Sequence, residues 1–471
     1  MDERHQGRGR SGEGIVRSCL SQDLSDPYHA TYLSFYLLGL GSLLPWYFFS
    51  TAKGYWDYKF SGGNSSSEQS SNSDLLVYFE SYLSIASTVP NVFVSVLNVL
   101  LIHKLSANVR VLSSLATMLL IFAVTAALVK VDTSTWLSGF FGVTMTCVVV
   151  VNSATAVFLG SLYGLAALFP AKYPQAFITG QAMGGTLSVL ASIVDIAAAG
   201  DVTDSALAYF LTADIYVLVC IVIYLRLCKL PFARYHISYE APPSINYDAR
   251  DAASVQSDSD EPYPADTDVL MAPAYTHAPR QQEQHQQQRS FPPVRAILRE
   301  TRWLCLCVFF CFYVSMILFP PVLANIVPTS VSPESVWAKK YFVPVAIFLV
   351  YNLGDLVGRV TAGWLRWPAP ESWLMPALVF LRTAFLPLFA FCNYQPRRHT
   401  STLLLANDAV PVVLTALLGV TNGHLGSTAL TFAPRVVPAE MAEATGAVMT
   451  FFLSLGLAAG ALSSNIFMRF I

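Results

Sequence analysis

The most constraining feature of this chain is a charged stretch inside an apolar run. Residues 341–364 are long enough to cross a bilayer as one helix, yet they include Asn352, Asp355 and Arg359. A charge at the centre of a membrane helix costs about 2.5–3.5 kcal/mol on insertion scales. The spacing i, i+3, i+7 puts these side chains on one helix face. That face must meet a partner helix or a wet cavity. It holds either a buried ion pair that only links helices or a polar surface that binds a solute.

The composition is that of a membrane protein. Of the 471 residues, 54% are hydrophobic and 12% are charged, whereas soluble domains carry about 25% charged residues. The net charge of −2 indicates no nucleic-acid partner. The eight cysteines fall mostly in or beside apolar runs, which does not fit a disulfide framework. Cys305, Cys307 and Cys311 have no His or carboxylate at ligand spacing, so we expect no metal and no cofactor.

The apolar runs predict an all-α polytopic protein with eleven transmembrane helices. Lys and Arg are biased towards the N-terminal tail and the even-numbered loops, which indicates a cytosolic N-terminus and an extracytosolic C-terminus. The predicted units are a cytosolic tail (1–30), a six-helix bundle (31–228), a disordered cytosolic loop rich in Pro, Asp, Ser and Gln (229–300), and a five-helix bundle (301–471). The predicted spans are 31–51, 77–101, 110–129, 139–168, 176–198, 206–228, 301–327, 341–365, 374–392, 407–433 and 441–467.

The loop after the first span carries a modification signal. Asn64-Ser65-Ser66 is an N-glycosylation sequon, and the charge bias places it on the extracytosolic side. We therefore expect Asn64 to be glycosylated.

Glycines and polar residues recur inside the spans. Glycine at four-residue spacing lets helix backbones approach closely, and five such pairs predict tightly packed helices. The pairs are Gly160/Gly164, Gly180/Gly184, Gly354/Gly358, Gly419/Gly423 and Gly456/Gly460. The other polar side chains that we expect to avoid lipid are Gln181, Asp195, Asp214, Arg382, Asn422 and His424.

This chemistry fits a neutral, hydroxyl-bearing solute with a planar group. A carboxylate and a guanidinium accept from and donate to a pair of hydroxyls and leave no net charge to attract an ion. Trp46, after the helix-breaking Pro45, offers a flat ring for stacking, or is an interfacial belt residue. The alternative class is a receptor or scaffold without transport, in which the Asp–Arg pair is structural. An enzyme is not expected, because the His residues are too scattered for a catalytic constellation. A channel is not expected either, because the sequence has no selectivity-filter motif.

Several motifs, in order and spacing, resemble those of the equilibrative nucleoside transporter family, and its lysosomal branch most of all. They are Gly41–Trp46 (GSLLPW), Gly180–Gly185 (GQAMGG), Tyr351–Arg359 (YNLGDLVGR) and Thr421–Gly423 (TNG). The resemblance covers the chain from about Tyr32 to its end, except the sixth loop. It implies a fold like the major facilitator superfamily, with six-helix and five-helix bundles around a central cavity, and facilitated transport of nucleosides, with nucleobases as a second substrate class, by alternating access.

The resemblance also implies roles for single residues. Asp355 and Arg359 would hold the ribose hydroxyls, with Asn352 in support. Leu43 and Trp46 would line the site of the base. Leu159 stands where the family often has a Gln that contacts the base, which suggests an altered base preference.

Gate residues follow from the same resemblance. Arg110 and Glu443 match positions that tie the two bundles together on the cytosolic side, and Phe319-Pro320 matches the outer constriction. Tyr47 replaces a common Asn of the gate.

The resemblance implies a lysosomal or late endosomal membrane, a lipid environment, a monomer and nucleoside substrates. The tail lacks the acidic dileucine signal of the lysosomal branch, so the plasma membrane stays as the alternative. Asp195 and Glu443 are candidate pH sensors, because burial disfavours a charged carboxylate. We expect uptake to change between about pH 5 and 7.5.

Overall fold

The structure is a computed structural model. It describes residues 26–51, 53–60, 72–102, 104–133, 136–198, 202–238, 294–332, 334–365, 367–369, 371–395 and 404–470. Between residues 44 and 84 it describes only some of the side chains. Its helices are α1 (Ala30–Thr51), α2 (Lys53–Phe60), α3 (Asn72–Leu101), α4 (Ala107–Val129), α5 (Leu137–Ala167), α6 (Lys172–Ala198), α7 (Val202–Leu227), α8 (Pro231–Ser238), α9 (Val294–Leu318), α10 (Trp337–Trp364), α11 (Leu374–Ala390), α12 (Ala409–Val436) and α13 (Ala442–Phe470).

The predicted number of spans is confirmed. Among the described residues, α4, α5, α6, α7, α9, α10, α12 and α13 are long and apolar enough to cross a membrane. Two shorter apolar segments, Ile85–Leu101 and Leu374–Ala390, and the 22-residue helix α1 complete the set of eleven. A span needs about 20 apolar residues, so the bilayer thickness makes this number readable from the sequence.

The seventh span differs from its prediction. It was expected at 301–327, whereas α9 runs from Val294 to Leu318 and is followed by a short 3-10 turn at Leu323–Asn325. Pro320 and Pro321 lack the amide hydrogen that would continue the helix, which explains the early end. The predicted loop 229–300 therefore begins with α8 and ends inside α9, while its residues 239–293 lie outside the described part.

Helix α10, which carries the charged stretch, has an irregular first half. Residues Trp337–Leu349 are wound as a π-helix that contains Pro344, and a regular α-helix follows from Val350 to Trp364. Because Pro removes one backbone donor, the wider winding accommodates it without a break. The regular α-helical part begins immediately before the three polar residues.

The helices form two bundles that meet along five helices. In the first bundle α1 packs on α6 and α7, and α5 packs on α3 and α4. In the second, α10 packs on α12 and α9 packs on α13. Between the bundles, α13 lies against α3 and α5, and α10 lies against α6. The charged face of α10 is thus in a helix that contacts both bundles.

Four of the five predicted glycine pairs lie at close contacts between helix backbones, whereas in the fifth pair Gly160 faces only the side-chain amide of Asn98. Gly354 and Gly358 of α10 face Gly419 and Gly423 of α12, and a Cβ added at Gly423 would overlap the carbonyl oxygen of Asp355. Gly180 and Gly184 face the backbone of α1, and Gly456 and Gly460 face that of α9. Such contacts require residues without side chains. They set the α10–α12 distance and hence the position of Asp355.

At the end of the second bundle that the charge bias places outside the cytosol, Asp408 connects two loops. Just before α12 begins, its carboxylate accepts hydrogen bonds from the backbone amides and hydroxyls of Thr329 and Ser330. Partial burial by itself raises the pKa of Asp408, but these hydrogen bonds outweigh it and bring the pKa to about 2.

This geometry predicts a contact that survives at acidic pH. A carboxyl group with a lowered pKa stabilises the folded state above its ordinary pKa, and that stabilisation is lost as the pH falls towards 2. We expect Asp408→Asn to lower the melting temperature by the same amount at pH 7.5 and pH 5, with the difference shrinking only between about pH 4 and pH 2. Melting curves of both proteins in detergent test this. A difference that already disappears at pH 5 would contradict it.

Candidate functional site

Asp355 and Arg359 form a buried ion pair one turn apart on α10. The Nε of Arg359 donates to Oδ2 of Asp355 over 2.7 Å. Asp355 is 7% exposed to solvent and Arg359 is 8% exposed. The i, i+4 spacing of the pair follows directly from helical periodicity. Charges at this depth persist only when they are paired and hydrogen-bonded. The predicted polar face is therefore turned away from lipid.

Arg359 also reaches across to the first bundle. Its Nη1 donates to the carbonyl oxygen of Ile178 over 3.1 Å and to Oε1 of Gln181 over 3.2 Å, both on α6. Gln181 in turn accepts from the hydroxyl of Tyr163 on α5 and donates to the hydroxyl of Ser42 on α1. One guanidinium thus joins the two bundles. Gln181 is 4% exposed, in agreement with the prediction that it does not face lipid.

The second oxygen of Asp355 is held from α12. Its Oδ1 accepts from Nδ2 of Asn422 over 2.7 Å, and Oδ1 of Asn422 accepts from the hydroxyl of Ser315 on α9 over 2.8 Å. Both carboxylate oxygens therefore already have a donor within the protein. The remaining lone pairs are the acceptors that a solute would use.

Asn352 and Tyr47 approach one another from opposite bundles. Nδ2 of Asn352 donates to the carbonyl oxygen of Phe348, and its Oδ1 lies against Gly185 of α6. A Cβ added at Gly185 would lie 3.1 Å from the hydroxyl of Tyr47. Leu43 lies one turn before Tyr47 on α1 and is half-buried. The structure thus brings Tyr47 and Asn352 to the same point.

Trp46 is placed on helix α1, but its side chain lies outside the described residues, as does the whole of Asn64. Stacking by Trp46 and glycosylation of Asn64 therefore stay predictions.

The predicted cytosolic tie is an ion pair between the bundles, in which Arg110 is buried and Glu443 is 26% exposed. Nη2 of Arg110, in the first turn of α4, donates to the carboxylate of Glu443, in the first turn of α13. Nη1 of Arg110 donates to Oδ1 of Asn98 over 3.2 Å. A Cβ added at Gly164 of α5 would lie 2.9 Å from the backbone oxygen of Glu443. The charged contact is thus backed by close backbone packing.

The predicted outer constriction is an aromatic stack. The ring of Phe319 lies 4.0 Å from that of Tyr351, nearly parallel, and 5.2 Å from that of Phe348. Pro320 follows where α9 has ended. The stack thus joins the end of α9 to the helix that carries the polar face.

Other polar residues lie away from this face. Asp195, near the end of α6, accepts from the hydroxyl of Ser205 over 2.6 Å and is about 21 Å along the helix from Gln181. Asp214 of α7 has one oxygen, Oδ1, that is buried without a hydrogen-bond partner in the described part of the chain. His424 contacts the hydroxyl of Thr361 and the backbone carbonyl of Trp367. These two contacts link α12 to the end of α10. The two candidate pH sensors, Asp195 and Glu443, are therefore in separate places.

Sequence reasoning missed several members of the site. Ser42, Tyr163 and Ser315 look like ordinary helix residues, and Ile178 contributes only its carbonyl oxygen. Hydroxyls in helices often bond their own backbone, so no local pattern distinguishes these. In the described residues, no group of three or more His, Cys, Asp and Glu side chains could hold a metal.

Comparison with known proteins places this arrangement in a family. The profile described as nucleoside transporter matches residues 145–469. Equilibrative nucleoside transporter 3 of Rattus norvegicus is 42% identical over 448 residues, which cover 95% of this chain and 90% of that protein. Equilibrative nucleoside transporter 2 of Homo sapiens is 35% identical over 94% of this chain and 97% of its own length. Equilibrative nucleoside transporter 1 of Homo sapiens is 33% identical over 95% and 98%.

The fold has solved counterparts. The proton:xylose symporter XylE of the major facilitator superfamily, bound to 6-bromo-6-deoxy-D-glucose, matches with a TM-score of 0.56 at 13% identity, over 93% of this chain and 88% of that one. A double Trp mutant of XylE matches with a TM-score of 0.57 at 12% identity, over 93% and 92%. At such low identity the likeness shows the major facilitator fold alone. The sequence matches over nearly the whole chain show that this protein belongs to the equilibrative nucleoside transporter family.

Proposed function

We propose that this protein moves nucleosides across a membrane by facilitated transport, with Asp355 and Arg359 binding the ribose. One observation carries the proposal. The Asp355–Arg359 pair lies where the bundles meet, and Arg359 donates to both its own helix and α6. A group shared between two bundles is placed to respond when they move apart, and such folds bind their substrates there.

The chemistry of the pair suits two adjacent hydroxyl groups. The carboxylate accepts hydrogen bonds and the guanidinium donates them, so the two ribose hydroxyls have complementary partners. The contacts from Arg359 to Ile178 and Gln181 are the ones that substrate would replace, because they cross between the bundles. Leu43, Tyr47 and Trp46 of α1 are proposed to face the base, and Asn352 to support the sugar. Without substrate, these contacts keep the buried charges satisfied.

The Arg110–Glu443 pair is proposed as the cytosolic gate and the Phe319–Tyr351 stack, continued by Pro320, as the outer one. Rocking of the bundles would break the first contact when the carrier opens to the cytosol. Glu443 and Asp195 stay candidates for a pH response. We further propose nucleobases as a second substrate class, a monomer, and a lysosomal or late endosomal membrane, with the plasma membrane as the alternative.

Uptake into proteoliposomes tests the function. Purified protein is reconstituted, and the entry of labelled adenosine and uridine is followed at pH 5 and pH 7.5. We expect saturable uptake that stops at equal concentrations inside and outside. Accumulation driven by an imposed proton gradient would replace facilitation by coupled transport. Saturable binding without any uptake would support a receptor or scaffold instead. Equal uptake at the two pH values would remove the proposed pH response alone.

Breaking the Arg110–Glu443 ion pair is expected to slow transport. Glu443→Gln leaves Arg110, which is 2% exposed, without its counter-charge. A hydrogen bond between charged groups contributes about 1.5–3 kcal/mol, so we expect the maximal rate of uptake to fall about tenfold or more. The matched control is Asp204→Asn, which breaks the exposed Lys130–Asp204 ion pair within the first bundle. That variant should transport like the wild type, since surface pairs contribute little. Equal rates for both variants would rule out the gate.

A further inference from the structure

Arg382 is a buried cation that the proposed transport mechanism does not yet use. It lies at the midpoint of α11, is 2% exposed and leads the largest fully buried side chains among the described residues. No carboxylate of the described residues forms an ion pair with it, and its Nε has no hydrogen-bond partner there. An uncompensated guanidinium at this depth is costly, and apolar side chains of similar volume would fill the space at least as well.

The contacts of Arg382 lead to the ion pair of α10. Nη1 lies 3.3 Å from Sγ of Cys311, and Nη2 donates to the hydroxyl of Ser315 and, over 3.5 Å, to Oδ1 of Asn422. The other end of the Asn422 amide donates to Asp355 over 2.7 Å. A single amide therefore separates Arg382 from the proposed ribose-binding carboxylate.

We propose that Arg382 is a positioning residue for substrate binding, which acts on Asp355 through Asn422. With Arg382 and Ser315 both donating to its oxygen, the Asn422 amide can present only its NH₂ group to Asp355. A flipped amide would place two donors, the NH₂ group and the guanidinium, against each other. The orientation of Asn422 in turn fixes Oδ1 of Asp355, while Arg359 fixes Oδ2.

The arrangement also explains why two arginines lie near a single carboxylate. Asp355 lies between two cations, Arg359 in direct contact and Arg382 one amide away, so its carboxylate is held in place from both sides. A carboxylate with both oxygens fixed in this way presents its remaining lone pairs to two hydroxyl groups in one orientation. This inference rests on the proposed function, because it concerns how Asp355 holds a sugar.

The test compares KM, maximal rate and melting temperature. For adenosine uptake by Arg382→Met, we expect KM to rise about tenfold or more, a loss typical of a charged hydrogen bond, with a nearly unchanged maximal rate and no lower melting temperature. Arg382→Lys keeps the positive charge but loses the planar guanidinium group. Its KM should lie between those of the wild type and Arg382→Met. Arg299→Met, which removes an exposed arginine from α9, is the matched control and should leave KM unchanged.

A double-mutant cycle shows whether the effect passes through Asn422. If it does, Arg382→Met in an Asn422→Ala background should raise KM no further. An additive increase, or an unchanged KM in Arg382→Met, would overturn the inference. If Arg382→Met does not fold, Arg382→Lys decides, and a wild-type KM there overturns it. Wild-type vesicles without uptake would instead refute the proposed function, so the two failures are distinguishable.

Discussion

Replacing Asp355 by Asn is expected to abolish nucleoside uptake, and replacing Arg359 by Gln is expected to do the same. Asp355→Asn keeps the size of the side chain and Arg359→Gln shortens it, and each change leaves the partner as an unpaired charge at 7–8% exposure. Removing one member of a buried ion pair costs about 3–5 kcal/mol, which predicts both a lower melting temperature and a loss of binding. Uptake of labelled adenosine, normalised to folded protein in the vesicles, measures the effect.

The neutral double variant separates binding from structure. Asp355→Asn combined with Arg359→Gln leaves neither member of the pair as an unpaired charge, so its melting temperature should recover towards that of the wild type. We expect uptake to stay absent, because an amide pair does not replace a carboxylate and a guanidinium for two hydroxyl groups. If uptake recovered together with stability, the pair would be a structural contact and not the ribose-binding group.

Gly423→Ala is expected to disrupt the second bundle. A Cβ at this position would overlap the carbonyl oxygen of Asp355 and lie 2.8 Å from the amide nitrogen of Arg359. Neither atom is part of a flexible side chain, so α10 and α12 must separate, and overpacking of this kind costs about 1–3 kcal/mol, occasionally more. We expect a clear drop in melting temperature together with a loss of uptake.

Gly142→Ala is the matched control within the same protein. Gly142 lies in α5, and a Cβ there meets nothing within 4 Å. Alanine in a helix is favoured over glycine by about 0.5–1 kcal/mol, so this variant should melt no lower than the wild type. If the two alanine variants behaved alike, the close approach of α10 and α12 would not be what positions Asp355.

Local physics explains how much of the site was predictable. The face formed by Asn352, Asp355 and Arg359 follows from helical periodicity, and the number of spans follows from bilayer thickness. The glycine pairs correctly indicated close helix contacts, although not which helices meet. The end of α9 at Leu318 agrees with Pro320-Pro321, which lack the amide hydrogens that would continue the helix, while the apolar span itself reaches Asn325, close to the predicted end at 327.

The partners of the ion pair were decided only by the tertiary structure. Gln181 lies 178 residues from Arg359 along the chain, and Asn422 lies 67 residues from Asp355. Whether two such residues meet depends on which helices neighbour each other and on their rotation, and no local pattern encodes either. The amino-acid sequence by itself determined that charges had to be buried at one face of α10. The packing of α6 and α12 around that face decided which groups satisfy them, since hydrogen bonds form between whatever side chains the bundle interface brings within reach.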